Sequence, residues 1–143
     1  MIFEQILKTK GTEVICVSSD QTLREAATLL DENRIGSVVA TNQAGGIIGV
    51  LSERDITRQF ARHGEKALHM HVSDAMTRDV ITVSPRESID QGLAKMTDRR
   101  IRHLPVCDED KLIGIVSIGD LVKWKLYESE AEAEAMKQYI ATG

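Results

Sequence analysis

The chain repeats itself, and this limits its possible folds more than any other feature. Val14-Ile-Cys-Val-Ser18 returns 66 residues later as Val80-Ile-Thr-Val-Ser84. At the same offset, Arg34-Ile35 returns as Arg100-Ile101. Ile48-Gly-Val-Leu-Ser52-Glu-Arg-Asp55 returns as Ile113-Gly-Ile-Val-Ser117-Ile-Gly-Asp120 at an offset of 65. The first copy therefore holds one extra residue, placed in Asn42-Gln-Ala-Gly-Gly46 opposite Asp108-Glu-Asp-Lys111. Both stretches read as loops, where insertions are tolerated.

Each copy has the same local grammar. Residues 14–17 and 80–83 are rich in β-branched side chains and predict a short strand. Thr22-Leu-Arg-Glu25 and Ser88-Ile-Asp-Gln91 fit capping boxes and predict helix starts. Leu23, Ala26, Ala27 and Leu30, like Ile89, Gly92, Leu93 and Met96, recur at the spacing of one buried helical face. Two strands follow, over 37–40 with 47–51 and over 103–107 with 112–116, and loops containing Gly or Asp suggest hairpins. A second helix starts near Glu53 and near Ile118. The fold class is therefore α/β (α+β), with two β-α-β-β-α repeats.

One repeat has only about 60 residues, which is marginal for a core of its own. Pairing about a pseudo-twofold axis would let the two bury each other's surfaces. The expected organisation is repeat one over 11–62, a connector over 63–77, repeat two over 78–127 and an acidic helix over 128–143. Ser73-Asp-Ala-Met76 in the connector reads as a short helical turn. Residues 1–10 predict a short helix with Ile2, Ile6 and Leu7 on one side and Gly11 as its stop. After Asp120 the helical pattern runs on, with Val122, Leu126, Ala133, Met136 and Ile140 in a weak heptad stripe. That stripe could pack along its own module or across a dimer. Glu128, Glu130, Glu132 and Glu134 beside it read as a solvated face.

Composition narrows the function. A net charge of −4 and 3% aromatic residues argue against a basic nucleic-acid surface and against a base-stacking platform. No apolar run approaches the roughly 20 residues of a membrane span. Glu4 stands where a secretory leader needs bases, so a cytoplasmic location is expected. Cys16 and Cys107 sit in strand-like runs and read as small buried hydrophobes.

Both copies end in Gly-x-x-Ser-x-x-Asp: Gly49, Ser52, Asp55 and Gly114, Ser117, Asp120. Ser-x-x-Asp is by itself a helix-capping pattern. Its position between a strand and a helix also suits an anion. A carboxylate can accept both hydroxyls of a ribose, and Arg54, Arg102 and His103 supply donors for a phosphate. Together these groups suit a nucleotide.

The β-α-β-β-α repeat, Arg99-Arg-Ile-Arg-His-Leu-Pro-Val106 and the two Gly-x-x-Ser-x-x-Asp-[Ile/Leu] runs resemble the tandem cystathionine-β-synthase (CBS) domain pair, or Bateman module. The resemblance spans residues 11–127. Ser117-Ile-Gly-Asp-Leu-Val-Lys123 and the acidic tail are similar to small standalone bacterial members. The resemblance implies clefts between the repeats that hold an adenosine-containing ligand: AMP, ADP, ATP, NAD or S-adenosylmethionine. Ser52, Arg54 and Asp55 would share one with Thr77, Ile81, Arg102 and His103. Ser117 and Asp120 would share the other with Lys10, Ile15, Ser37 and Val38. Ile118-Gly119 replaces Glu53-Arg54, and Gly36-Ser37 replaces Arg102-His103. With fewer fixed cations, the second cleft should bind more weakly or prefer less charge near that wall. Micromolar binding needs about 8 kcal/mol, and one charge-assisted hydrogen bond contributes roughly 1.5–3 kcal/mol. Burial of the adenine must therefore contribute as well.

The resemblance also implies a homodimer of CBS pairs acting on an unknown regulated protein; charge, aromatic content and hydropathy leave no nucleic acid and no membrane among the expected partners. The two repeats leave little of the 143 residues for a catalytic domain, so no enzyme activity and no catalytic cofactor are expected. His103 reads as a phosphate contact rather than a general base. A structural adaptor module is the competing reading. A metal-binding role is weaker, because His63, His69, His71 and His103 lack a recognised ligand spacing.

Overall fold

Matching caps start the first helix of each copy. Thr22 Oγ1 accepts the Glu25 N–H at 3.1 Å, and the Glu25 carboxylate accepts the Thr22 N–H at 3.2 Å. Ser88 and Gln91 repeat the exchange at 3.2 and 2.8 Å. The same helices stop alike, on Arg34 and Arg100 in the left-handed region (φ 53° and 54°). There the Ile35 and Ile101 N–H groups turn back onto Leu30 O and Met96 O.

The computed structural model describes residues 1–142. In chain order the elements are α1 (Phe3–Lys10), β1 (Cys16–Ser18), α2 (Leu23–Asn33), β2 (Ser37–Thr41), β3 (Ile47–Ser52) and α3 (Glu53–His63). A 3-10 stretch (Gly64–His69) leads to α4 (Val72–Ala75), α5 (Ile89–Arg99), β4 (His103–Asp108), β5 (Lys111–Ser117) and α6 (Ile118–Thr142). This is the expected α/β chain of two repeats, with a short helix before them and a long helix after.

The chain divides into two compact units. The first comprises Glu13–Ile81 with Glu109–Ile113. In it β1 runs parallel to β2, with Cys16 opposite Val39, and β2 runs antiparallel to β3, with Ser37 opposite Ser52. Val17, Leu23, Ala26, Leu30, Val38, Leu51, Val72 and Met76 are among its core residues. The second unit comprises Met1–Thr12, Thr82–Asp108 and the chain from Gly114 on. Phe3, Ile6, Ile89, Leu104, Val106, Val116 and Leu121 are buried there.

The expected strand over 80–83 is reduced to a single bridge between Val83 and Val106. In the first copy the parallel pairing opens with the Val39 N–H donating to Ile15 O at 3.2 Å. The matching residue in the second copy is Pro105, which has no N–H to donate. Cys16 also departs from expectation: it is exposed, and Cys107 is half-buried. β1 turns Val17 inward, so its neighbours Cys16 and Ser18 face out.

Offsets of 65 and 66 also hide part of the repeat. In the second unit the N–H groups of Phe3, Glu4 and Ile89 bond Glu87 O, Pro85 O and Met1 O at 3.0, 2.9 and 3.0 Å. In the first, those of Val72, Ser73 and Leu23 bond Gln21 O, Ser19 O and Met70 O at 2.8, 3.0 and 2.8 Å. α1 and α4 therefore dock in the same way, α1 beside repeat two and α4 beside repeat one. The repeated glycines explain the fit. A Cβ on Gly49 would sit 2.4 Å from Met76 Sδ, and one on Gly114 would sit 2.6 Å from Leu7 Cδ2. Leu7 of α1 and Met76, just after α4, each press onto the strand where the motif begins.

α6 leaves Val122, Leu126, Met136 and Ile140 exposed. The described part of the chain does not cover the stripe. No helix among the described residues is long and apolar enough to cross a membrane.

Candidate functional site

Both Ser-x-x-Asp segments form the cap that their spacing predicts. Asp55 Oδ2 accepts the Ser52 N–H at 2.9 Å, and Ser52 Oγ accepts the Asp55 N–H at 3.3 Å. Asp120 Oδ2 accepts the Ser117 N–H at 2.8 Å, and Ser117 Oγ accepts the Asp120 N–H at 3.1 Å. The first N–H of each helix bonds the carbonyl just before the neighbouring strand, β2 or β4: Glu53 to Gly36 O at 2.9 Å and Ile118 to Arg102 O at 2.8 Å. These bonds hold each carboxylate at the mouth of its helix with little rotational freedom.

The surroundings of the two carboxylates differ. Asp55 is buried, and its other oxygen, Oδ1, accepts from Arg58 one turn along α3 at 3.3 Å. Arg58 is an exposed partner that the sequence pattern did not single out. Asp120 is half-buried and forms an ion pair with Lys10, the last residue of α1, at 2.5 Å. Lys10 Nζ also donates to Ile115 O at 2.7 Å. Partial burial works against the Asp120 anion. The hydrogen bond from Lys10, the Ser117 N–H and the lysine charge outweigh it, holding the carboxyl below its ordinary range.

The first unit holds Ser52, Arg54, Asp55, Thr77 and Ile81, and the second holds Arg102 and His103. Arg54 and Arg102 are exposed, and His103 is half-buried at the start of β4. Thr77 pairs with Val50 through both main-chain bonds, at 2.9 and 3.0 Å. Of the other set, Lys10, Ser117 and Asp120 belong to the second unit and are bonded together. Ile15, Ser37 and Val38 belong to the first. Ser37 and Val38 are buried, and Val38 is part of the core.

A groove of about 620 Å³, not anticipated from the sequence, runs along α2 and the start of α3 and is lined by Leu30, Arg34, Ile35, Glu53 and Ile56. The Asp55 carboxylate does not line it. Among the described residues no three His, Cys, Asp or Glu side chains gather as a metal site.

A family model for the CBS domain matches residues 7–62 and again residues 72–127. The chain belongs to the CBS-domain family. Among solved CBS structures, the CBS-domain-containing protein ATU1752 of Agrobacterium tumefaciens is 38% identical, with a TM-score of 0.84. That match covers 85% of this chain and 91% of the other. The CBS domain protein PAE2072 of Pyrobaculum aerophilum, complexed with AMP, is 28% identical with a TM-score of 0.75, over 84% and 89% of the two chains. The CBS domain pair of protein MJ0100, in complex with 5′-methylthioadenosine and S-adenosyl-L-methionine, is 25% identical with a TM-score of 0.78, over 91% and 98%. In this CBS pair the Ser–Asp junction occurs once per repeat, with a different cation at each.

Proposed function

We propose that this CBS pair is a regulatory module, not an enzyme, and that it senses an adenosine-containing ligand through its Ser–Asp junctions. The observation that carries the reading is the pair of fixed carboxylates, Asp55 and Asp120, each held by the serine amide three residues before it. A carboxylate fixed in this way can accept the two hydroxyls of a ribose without first losing side-chain freedom. The AMP complex of PAE2072 and the 5′-methylthioadenosine and S-adenosyl-L-methionine complex of MJ0100 support the ligand class.

In this reading the Asp55 junction is the stronger site. Arg54, Arg102 and His103 serve the phosphate, and Thr77 and Ile81 serve the base. Ile15, Ser37 and Val38 serve the base at the Asp120 junction. Occupancy passes to a regulated protein or through a homodimer of CBS pairs, because a ligand changes an output only by favouring one of two states.

The test is a thermal-shift panel of AMP, ADP, ATP, NAD and S-adenosylmethionine. A ligand that binds only the native state raises the melting temperature. At least one compound should do so, and Asp55→Ala should remove most of the shift. A panel without any shift would leave the adaptor reading in its place.

A further inference from the structure

One oxygen of Asp120 already has an ionic partner, so two ribose hydroxyls could not both take this carboxylate without competing with it. Lys10 Nζ lies against Asp120 Oδ2, the oxygen that also accepts the Ser117 N–H, and is tied to Ile115 O at 2.7 Å. The first unit has no such arrangement. There the carbonyl matching Ile115 O is Val50 O, and it accepts the main-chain N–H of Thr77 at 2.9 Å. α4 ends at Ala75, and the chain then pairs with β3 through its backbone. α1 stays helical to Lys10 and stops on Gly11 at φ +102°. The longer docking helix thus brings an ammonium to the place where the other copy puts an uncharged amide.

We propose that Lys10 is a specificity-determining residue, an internal cation that closes the Asp120 junction to neutral nucleosides and opens it to anionic ones. This rests on the nucleotide reading above. A ribose alone would have to replace an ion pair, in which donor and acceptor are both charged, with bonds from uncharged O–H donors, and would leave the ammonium without an anion. A ligand that also carries a phosphate gives Lys10 a new anion. The ammonium turns from Asp120 to the phosphate, and the released carboxylate accepts the ribose hydroxyls. The site therefore requires a diol and an anion together. At Asp55 the cation is Arg58, which is 54% exposed and meets the other carboxylate oxygen. A neutral nucleoside is discriminated against less there.

The experiment uses the full chain carrying Asp55→Ala, so that the Asp120 junction dominates the signal. Calorimetry with AMP and with adenosine is run on this protein and after adding Lys10→Met or, as a second variant, Lys10→Gln. Circular dichroism checks that each is folded. The parent should prefer AMP. Removing the ammonium should tighten adenosine by about tenfold, the loss of one charge-assisted competitor, and weaken AMP. An unchanged AMP-to-adenosine ratio in both folded variants overturns the role of Lys10 while leaving the nucleotide reading intact. Absence of binding in Asp55→Ala and in both double variants also overturns it. Absence of AMP binding to the wild-type protein also overturns the role of Lys10, whereas the nucleotide reading itself falls only if no compound of the thermal-shift panel binds.

Discussion

Lys10 and Asp120 lie 110 residues apart in the chain and form a salt bridge that joins the end of α1 to the start of α6. It ties the docking helix of repeat two to the Ser–Asp junction of the same repeat. The bridge is partly exposed, so its contribution to stability is modest, below about 1 kcal/mol.

Its pH dependence has a definite sign. The Asp120 carboxyl is held below its ordinary value in the folded protein, so the unfolded chain takes up the proton first as pH falls. The stabilisation is complete above the ordinary aspartate value of about 3.9 and is lost as pH drops below it towards the folded value. Asp120→Asn removes this component. Urea denaturation between neutral and acid pH should give a shallower acid decline for Asp120→Asn than for the wild type. Parallel curves would show that the bridge does not stabilise the fold.

The two junctions should differ in affinity. Each carboxylate has a cation, but Arg58 at Asp55 is more exposed than Lys10 at Asp120 and is the more easily displaced. Asp55→Ala should weaken AMP binding by about tenfold to a hundredfold, as loss of charge-assisted hydrogen bonds implies. Asp120→Ala should cost less. Isothermal titration of the two variants gives the order, and a larger loss for Asp120→Ala would reverse it.

Packing of α1 makes a further demand. A Cβ on Gly92 would lie 2.3 Å from Phe3 Cζ, and Phe3 is fully buried. Gly92→Ala should destabilise the protein by about 1–3 kcal/mol, the usual cost of overpacking. Shortening the opposing ring with Phe3→Leu should recover part of that loss in the double variant. Urea midpoints for the four proteins measure the coupling, and simple additivity would count against direct contact.

The stripe on α6 gives a test of assembly. Leu126, Met136 and Ile140 are 58%, 62% and 71% exposed, so cis packing does not account for their apolar character. If they bind a second copy, removing residues 128–143 should lower the mass seen by light scattering. An unchanged dimer mass would place the interface elsewhere.

Much of this architecture could be read from the residues. Thr22 with Glu25 and Ser88 with Gln91 cap their helices as the spacing requires, because a capping box is closed within four residues. The hairpins and the Ser–Asp junctions are equally local. Cys16 was harder to place, since a three-residue strand gives too little alternation to show which face is inward. The strand lost before α5 could have been inferred from Pro105, but only once β1 was known to lean on the residue that matches it.

The equivalence of α1 and α4 lay beyond the sequence comparison. They dock through main-chain bonds, which leave little trace in residue identity, and their spacing is not that of the rest of the repeat. The difference between Asp55 and Asp120 has the same origin. Local sequence, through short-range caps and periodic apolar faces, is enough to specify the helices and hairpins of two repeats and a carboxylate at the mouth of one helix in each. Only at Asp120 does the cation come from a docking helix. Arg58 comes from the next turn of the same helix, whereas Lys10 arrives from a segment 110 residues away. Only folding brings that second charge into contact, because Coulomb attraction and hydrogen bonding depend on distance in space and not on separation along the chain.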